Sequence, residues 1–176
     1  MIEDEWLRKI NVDTKPFEDA LKRCGNFKDV TGITTAKGKN TRQYDIQNSK
    51  PYYNEMRKFL YYIEDLVDVF KLNPSQCWTV ESDEGSYHKF HRHQLNGLEH
   101  ERPNKNNIAT VLFLEVPDNL NKGDFYFLLK KNNDILNYTI TPKKGDLLFF
   151  PWSVYHGVYP QDAGLRKTVN LDYTYA

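Results

Sequence analysis

From Cys77 to the C-terminus the chain reads as a succession of short strands, and this alternation restricts the fold more than any other feature. Candidate strands lie at 77–82, 86–93, 108–116, 124–130, 135–141, 146–150, 156–159 and 166–174. Aromatic residues make up 14% of the chain, and such rings fill strand-rich cores well. Asn121, Gly123, Asn132, Asn133, Asp134, Lys144 and Gly145 mark turns between some of the strands. Short strands in such number close most readily as a barrel of facing sheets. The expected fold is mainly β with flanking helices: a jelly roll, or double-stranded β-helix.

The segment before Cys77 has a different period. Residues 16–24 (PFEDALKRC) predict a short helix, with Pro16 near its start and Gly25 just past its end. Residues 30–50 are polar and read as a loop with at most a short strand, suited to a mobile flap. Residues 51–71 predict the clearest helix. Met56, Phe59, Leu60, Ile63, Leu66, Val67 and Phe70 keep the helical period, while Glu55, Lys58, Asp65 and Asp68 fall on the other faces. Pro74 closes the segment, and the helix is expected to cover one face of the sheet. The 176 residues fit one domain, with 1–76 as a helical and loop preface to a 77–176 core.

Charge and cysteine content exclude several functions. Lys plus Arg equals Asp plus Glu at 24 each, so no basic field holds nucleic acid by neutralising phosphates. Two cysteines, Cys24 and Cys77, cannot build a disulfide framework or a cysteine-based zinc ribbon. They are expected to be ordinary reduced thiols. The start MIEDEWLRK lacks the apolar run of a signal peptide, and no stretch is apolar for long enough to span a membrane. A soluble, cytoplasmic protein is expected.

The chemistry lies in the histidines. There are five, His88, His91, His93, His100 and His156. His88 and His100 read as ordinary surface or hydrogen-bonded side chains. His91 and His93 are two apart, so on a strand they project to one side. His156 follows the apolar run of GDLLFFP and a turn, which puts it at a barrel mouth. Three imidazoles that converge suit iron, zinc, copper or nickel. In the last strand Val169, Leu171 and Tyr173 share one face, and Arg166, Thr168 and Asn170 the other. That polar face lines either solvent or a pocket. In a pocket, Arg166 could take a carboxylate bidentately and Thr168 could add a hydroxyl bond. The ten-residue spacing from His156 to Arg166 favours the pocket.

Residues 78–173 resemble the iron(II)- and 2-oxoglutarate-dependent oxygenases, in particular small prolyl-hydroxylase-like and phage-encoded members. The matching elements are GSYHKFHRH at 85–93, ATVLFLEVP at 109–117, KGDFYF at 122–127, PKKGDLLFFPWSVYHGVYP at 142–160 and GLRKTVNLDY at 164–173. The resemblance implies that His91, His93 and His156 bind Fe(II). It also implies that Arg166, with Thr168 and Asn170, binds 2-oxoglutarate. The activity implied is hydroxylation of a substrate with release of succinate and CO2. Trp152, Tyr155 and Tyr126 are candidates for the pocket wall. Residues 94–107 and 30–50 are expected to shape substrate entry. The substrate itself is not legible: a free amino acid, a peptide side chain and a nucleobase are all compatible.

His93 stands where the family usually has Asp or Glu, although some phage and bacterial homologues share H-x-H. Three arrangements remain open. All three histidines bind the metal; a carboxylate from Asp83, Glu99 or Asp124 takes part; or His93 stands behind the ligands and only two protein groups hold the ion. The same histidines also resemble the two cupin motifs, Gly85 to His91-x-His93 and Gly145 through Pro151 to His156. That reading makes the chain a cupin-like metalloenzyme, a three-histidine dioxygenase or isomerase. Cupins do not expect an arginine ten residues beyond the last ligand, so GLRKT at 164–168 favours the oxygenase.

Overall fold

The computed structural model describes residues 6–31, 41–93, 106–118, 121–131 and 134–176. Its strands are β1 (Arg8–Asn11), β2 (Phe27–Asp29), β3 (Thr41–Ile46), β4 (Leu72–Ser82), β5 (His88–His91), β6 (Ile108–Glu115), β7 (Phe125–Lys131), β8 (Asp134–Ile140), β9 (Asp146–Pro151), β10 (Tyr155–Val158) and β11 (Arg166–Tyr175). Two α-helices, α1 (Lys15–Cys24) and α2 (Lys50–Met56), precede β4. One antiparallel sheet runs β1-β9-β6-β11-β4-β3-β2 and a smaller one β5-β10-β7-β8. The two form a double-stranded β-helix.

The central strands of the larger sheet are apolar at almost every position because both faces are covered. In β6, Ile108, Leu112 and Leu114 face the helices, while Ala109, Val111 and Phe113 face the smaller sheet. β9 divides the same way, with Leu147 and Phe149 on one side and Leu148 and Phe150 on the other. The period of two thus sorts one run of apolar residues into two cores. In β11 Val169, Leu171 and Tyr173 belong to the helix-side core. Its opposite face is polar, and there the second core gives way to a cavity.

Helix α1 buries Phe17, Ala20, Leu21 and Cys24, a stripe that packs Phe17 against Tyr52 at 5.6 Å between ring centroids. The helix expected over 51–71 is broken. α2 ends at Met56, a 3₁₀ segment runs Arg57–Ile63, and a short 3₁₀ turn covers Val69–Lys71. Phe59, Tyr61, Tyr62 and Ile63 are aromatic or β-branched side chains that lose rotamer freedom on an α-helix. The buried pair Leu60 and Ile63 is three residues apart and suits the tighter turn. The change of period also turns Phe70 outwards, where it is 97% exposed instead of lying on the buried face.

Pro74 does not close that segment; it lies inside β4, opposite Tyr173, beside an irregularity in the register of β11. The missing N–H is tolerated there because β3 covers β4 only from Trp78 onwards. β1, β2 and β3 all join the larger sheet, so the first 46 residues supply three of its strands. Cys24 and Cys77 are buried free thiols, both pushed up in pKa mainly by that burial. Among the described residues no helix is long and apolar enough to cross a membrane.

Candidate metal centre

β5 is an edge strand of the smaller sheet and pairs with β10, so that His91 lies directly opposite His156. His93 falls just beyond the end of β5, not on the strand as expected. It is returned to the site by its own backbone N–H, which donates to the Trp152 carbonyl at 3.2 Å. The imidazole centroids are 4.4 Å apart for His91 and His156, and 4.9 Å for His93 and His156. One ring nitrogen from each lies within 4.8 Å of the others.

The hydrogen bonds fix which nitrogens are free. Nδ1 of His91 meets the Lys89 carbonyl at 2.9 Å, and Nδ1 of His156 meets the Val154 carbonyl at 3.0 Å. Nδ1 of His93 meets the Asp172 carboxylate at 2.7 Å. Carbonyl and ionised carboxylate oxygens only accept, so each Nδ1 carries the proton. Each Nε2 is left with a lone pair. Burial, then the neighbouring His91 and His93 rings, hold His156 well below the usual histidine pKa. Burial and then the His93 ring also lower the pKa of His91, whose outer edge is exposed. The neutral imidazoles of His91 and His156 present their lone pairs at neutral pH without releasing a proton. Three nitrogen donors of this kind fit a borderline divalent cation such as iron(II).

The three histidines line a small cavity together with Val111, Phe113, Phe125 and Arg166. Thr168 and Asn170 form its floor with Ser82, Val80 and Trp78 of β4, which pair with Arg166, Thr168 and Asn170 in register. Arg166 is 3% exposed. Its Nη1 donates to the Gly123 carbonyl at 2.8 Å, and no carboxylate among the described residues lies within 4.0 Å of it. Burial lowers its pKa to about 10, so it stays charged at neutral pH. An unpaired buried guanidinium is expensive, and one whose other donors remain available is suited to an anionic ligand. Asn170 donates to Thr168 Oγ1 at 3.4 Å, which leaves the Thr168 hydroxyl proton for another acceptor.

A second cavity, about 530 Å³, adjoins the first and shares Trp78, His88, His91 and His93 with it. Gln43, Asp45, Gln47, Gln76, Trp78 and Arg92 line it, and His91 and His93 form its inner wall.

No protein-family model matches the sequence, and no curated protein does. Solved structures do. An oxidoreductase of the 2OG-Fe(II) oxygenase family from Burkholderia pseudomallei superposes with a TM-score of 0.71 at 11% identity, over 98% of this chain and 87% of that one. The viral collagen prolyl hydroxylase of Paramecium bursaria Chlorella virus-1, solved as a 2-oxoglutarate complex, gives 0.64 at 15% identity, over 97% of each chain. HygX from Streptomyces hygroscopicus, solved with nickel and 2-oxoglutarate, gives 0.68 at 13% identity, over 97% of this chain and 83% of that one. The chain has the fold of these oxygenases. At such identities the likeness is one of architecture.

Several expectations need correction. Tyr126 and Tyr155 do not line the cavity, because each alternates with an inward neighbour on its strand: Phe125 and Phe127 around Tyr126, His156 beside Tyr155. Tyr126 stacks on Tyr159 at 4.4 Å, and Trp152 is 1% exposed in the core between the sheets. His88 is not an ordinary surface histidine. It lines both cavities, and its pKa is lowered to about 3 by burial, then by His91 and Arg166. Neither Asp83 nor Asp124 joins the converging group. Glu99 and His100 lie outside the described residues, as does most of 94–107. The carboxylate missed by the sequence reading is Asp172. It continues the period of Arg166, Thr168 and Asn170 by one more step, and that periodicity was the available signal.

Gly157 allows β10 to approach β5. A Cβ there would sit 2.8 Å from the His88 carbonyl and 2.5 Å from Tyr126 Oη. Tyr126 Cζ is only 2.6 Å away, so the whole Tyr126 ring, stacked on Tyr159, would have to move, and the carbonyl belongs to the strand that carries His91. Gly157→Ala is expected to lower stability by about 1–3 kcal/mol through overpacking, and to weaken metal binding by displacing β5. Thermal melting and a cobalt(II) titration check this. An unchanged midpoint with unchanged affinity would show that the contact is soft.

Proposed function

We propose that the chain is an Fe(II)/2-oxoglutarate-dependent oxygenase that hydroxylates its substrate. His91, His93 and His156 hold the metal through their Nε2 atoms. Arg166 receives the far carboxylate of 2-oxoglutarate along the narrow cavity, with Thr168 donating its hydroxyl and Asn170 bracing Thr168. The observation that carries this reading is the buried Arg166, with no carboxylate partner among the described residues, in the same cavity as the three imidazoles. A cupin-like enzyme has no use for a cation placed there. When bound, iron(II) and 2-oxoglutarate supply the oxygen activation and the decarboxylation that yields succinate and CO2. The chain's own residues orient the cosubstrate, and Phe113, Phe125 and Val111 keep its cavity dry.

The substrate approaches through the wider groove, because the smaller cavity belongs to the cosubstrate. Three amides, two carboxylates and Arg92 lie along that groove, so a polar, hydrogen-bonding substrate suits it better than a hydrocarbon. The solved structures support the reading at the level of named contents: HygX binds nickel and 2-oxoglutarate, and in one structure also hygromycin B.

Iron-loaded protein given 2-oxoglutarate and oxygen is expected to form succinate slowly even without substrate, and metal-free protein to form none. Equal succinate in both samples would sink the proposal.

A further inference from the structure

Asp172 is 3% exposed, and Oδ2 and Oδ1 lie 2.7 and 2.9 Å from Nδ1 of His93. Among the described residues no lysine or arginine comes within 4.0 Å of it; the His93 ring is its hydrogen-bond partner. The carboxylate reaches the site from β11, where Asp172 keeps the strand alternation of Arg166, Thr168 and Asn170 and pairs in regular register with Ala109 of β6.

The other two imidazoles are held differently. His91 and His156 each use the backbone carbonyl two residues earlier, a local and neutral acceptor. His93 lies past the end of its strand, and an anion from another part of the chain holds its ring. A buried carboxylate without a lysine or arginine is costly to keep, so its partner must matter to the molecule.

We propose that Asp172 is the positioning residue of the metal centre. Its carboxylate fixes the His93 ring and proton so that Nε2 faces the other two imidazoles. Through that hydrogen bond it also gives the site the negative charge that a directly bound carboxylate would otherwise bring. The H-x-H sequence and Asp172 are then one device: the charge stands an imidazole ring and a hydrogen bond further from the ion. This inference rests on the reading of the three histidines as metal ligands.

Cobalt(II) is the probe, followed by its visible absorption in the full-length wild-type protein and in Asp172→Asn and Asp172→Glu. Asparagine keeps the shape but loses the charge, and its amide can equally donate to Nδ1, so it no longer dictates the His93 proton. Wild type is expected to bind one cobalt(II). Asp172→Asn is expected to bind it roughly 10–100-fold more weakly, the usual consequence of losing the partner behind a ligand, with a shifted visible spectrum. Asp172→Glu restores part of the affinity. The nitrogen-15 shifts of His93 in metal-free protein give a second readout that a merely structural role would not move. Wild type shows a protonated Nδ1 and a bare Nε2, and Asp172→Asn shows a mixture. If Asp172→Asn proves too unstable to isolate, Asp172→Glu is read by the same two measurements. Wild-type affinity, spectrum and His93 shifts in the variants would overturn the proposal. Failure of wild type to bind cobalt(II) would instead bring down the metal reading beneath it.

Discussion

His91→Ala and His156→Ala are each expected to lose metal binding, by roughly 100-fold or more, since a direct ligand matters more than the group behind it. The two variants should differ in stability. His91 is exposed at the end of an edge strand, and cutting it back removes little packing. His156 is 3% exposed, stacked against Phe125 with centroids 5.6 Å apart and edge-on to Phe150 at 4.7 Å. Its truncation opens a cavity between the sheets and should cost on the order of 1–3 kcal/mol. Equilibrium dialysis against iron(II) or cobalt(II), with thermal melting alongside, separates the effects. Undiminished metal binding in both variants would remove the centre from these residues. A large loss of stability in His91→Ala would show that its ring has a packing role that its exposure does not suggest.

Arg166→Ala is expected to abolish 2-oxoglutarate binding at ordinary concentrations while leaving metal binding in place. Losing one partner of a buried, hydrogen-bonded charge pair costs about 2–5 kcal/mol, well over tenfold in affinity. Arg166→Lys keeps the charge but not the planar fork and should fall between. The melting temperature of anaerobic, iron-loaded protein gives the readout. At roughly 100 times the dissociation constant, 2-oxoglutarate stabilises wild type by about 2.7 kcal/mol, or roughly 5–10 °C for a chain of this length. The same concentration should leave Arg166→Ala unmoved. An equal rise in both proteins would separate Arg166 from the cosubstrate and return the cupin-like alternative to first place.

The elements of this site were legible where short-range pattern decides geometry. His91 and His156 sit on strands, Gly145 precedes the apolar run of β9, and the polar face of β11 does line a cavity. Pattern was weaker where spacing is ambiguous. From Met56 to Ile63 the apolar residues are three or four apart, which suits an α-helix and a 3₁₀ turn alike, so the break after Met56 was hidden. β1 is Arg-Lys-Ile-Asn, with nothing in composition to mark it as a strand; its partner β9 decides its conformation. The bond between His93 and Asp172 spans 79 residues, and no local signal announces a contact of that range.

Gln43 and Asp45 lie on β3, whose strand neighbours among the described residues are β2 and β4. The imidazoles, Arg166 and Asp172 lie on, or just beyond, β5, β10 and β11. Under the proposed function, β3 contributes to substrate selection while β5, β10 and β11 carry the metal and cosubstrate groups, even though His91, His93 and Asp172 line the same groove. Random libraries confined to Gln43, Asp45 and Gln47 are then expected to change what enters the groove without replacing an imidazole, Arg166 or Asp172. On that proposal, a lineage could exchange substrates by drift at a peripheral strand while its metal-binding side chains stay the same.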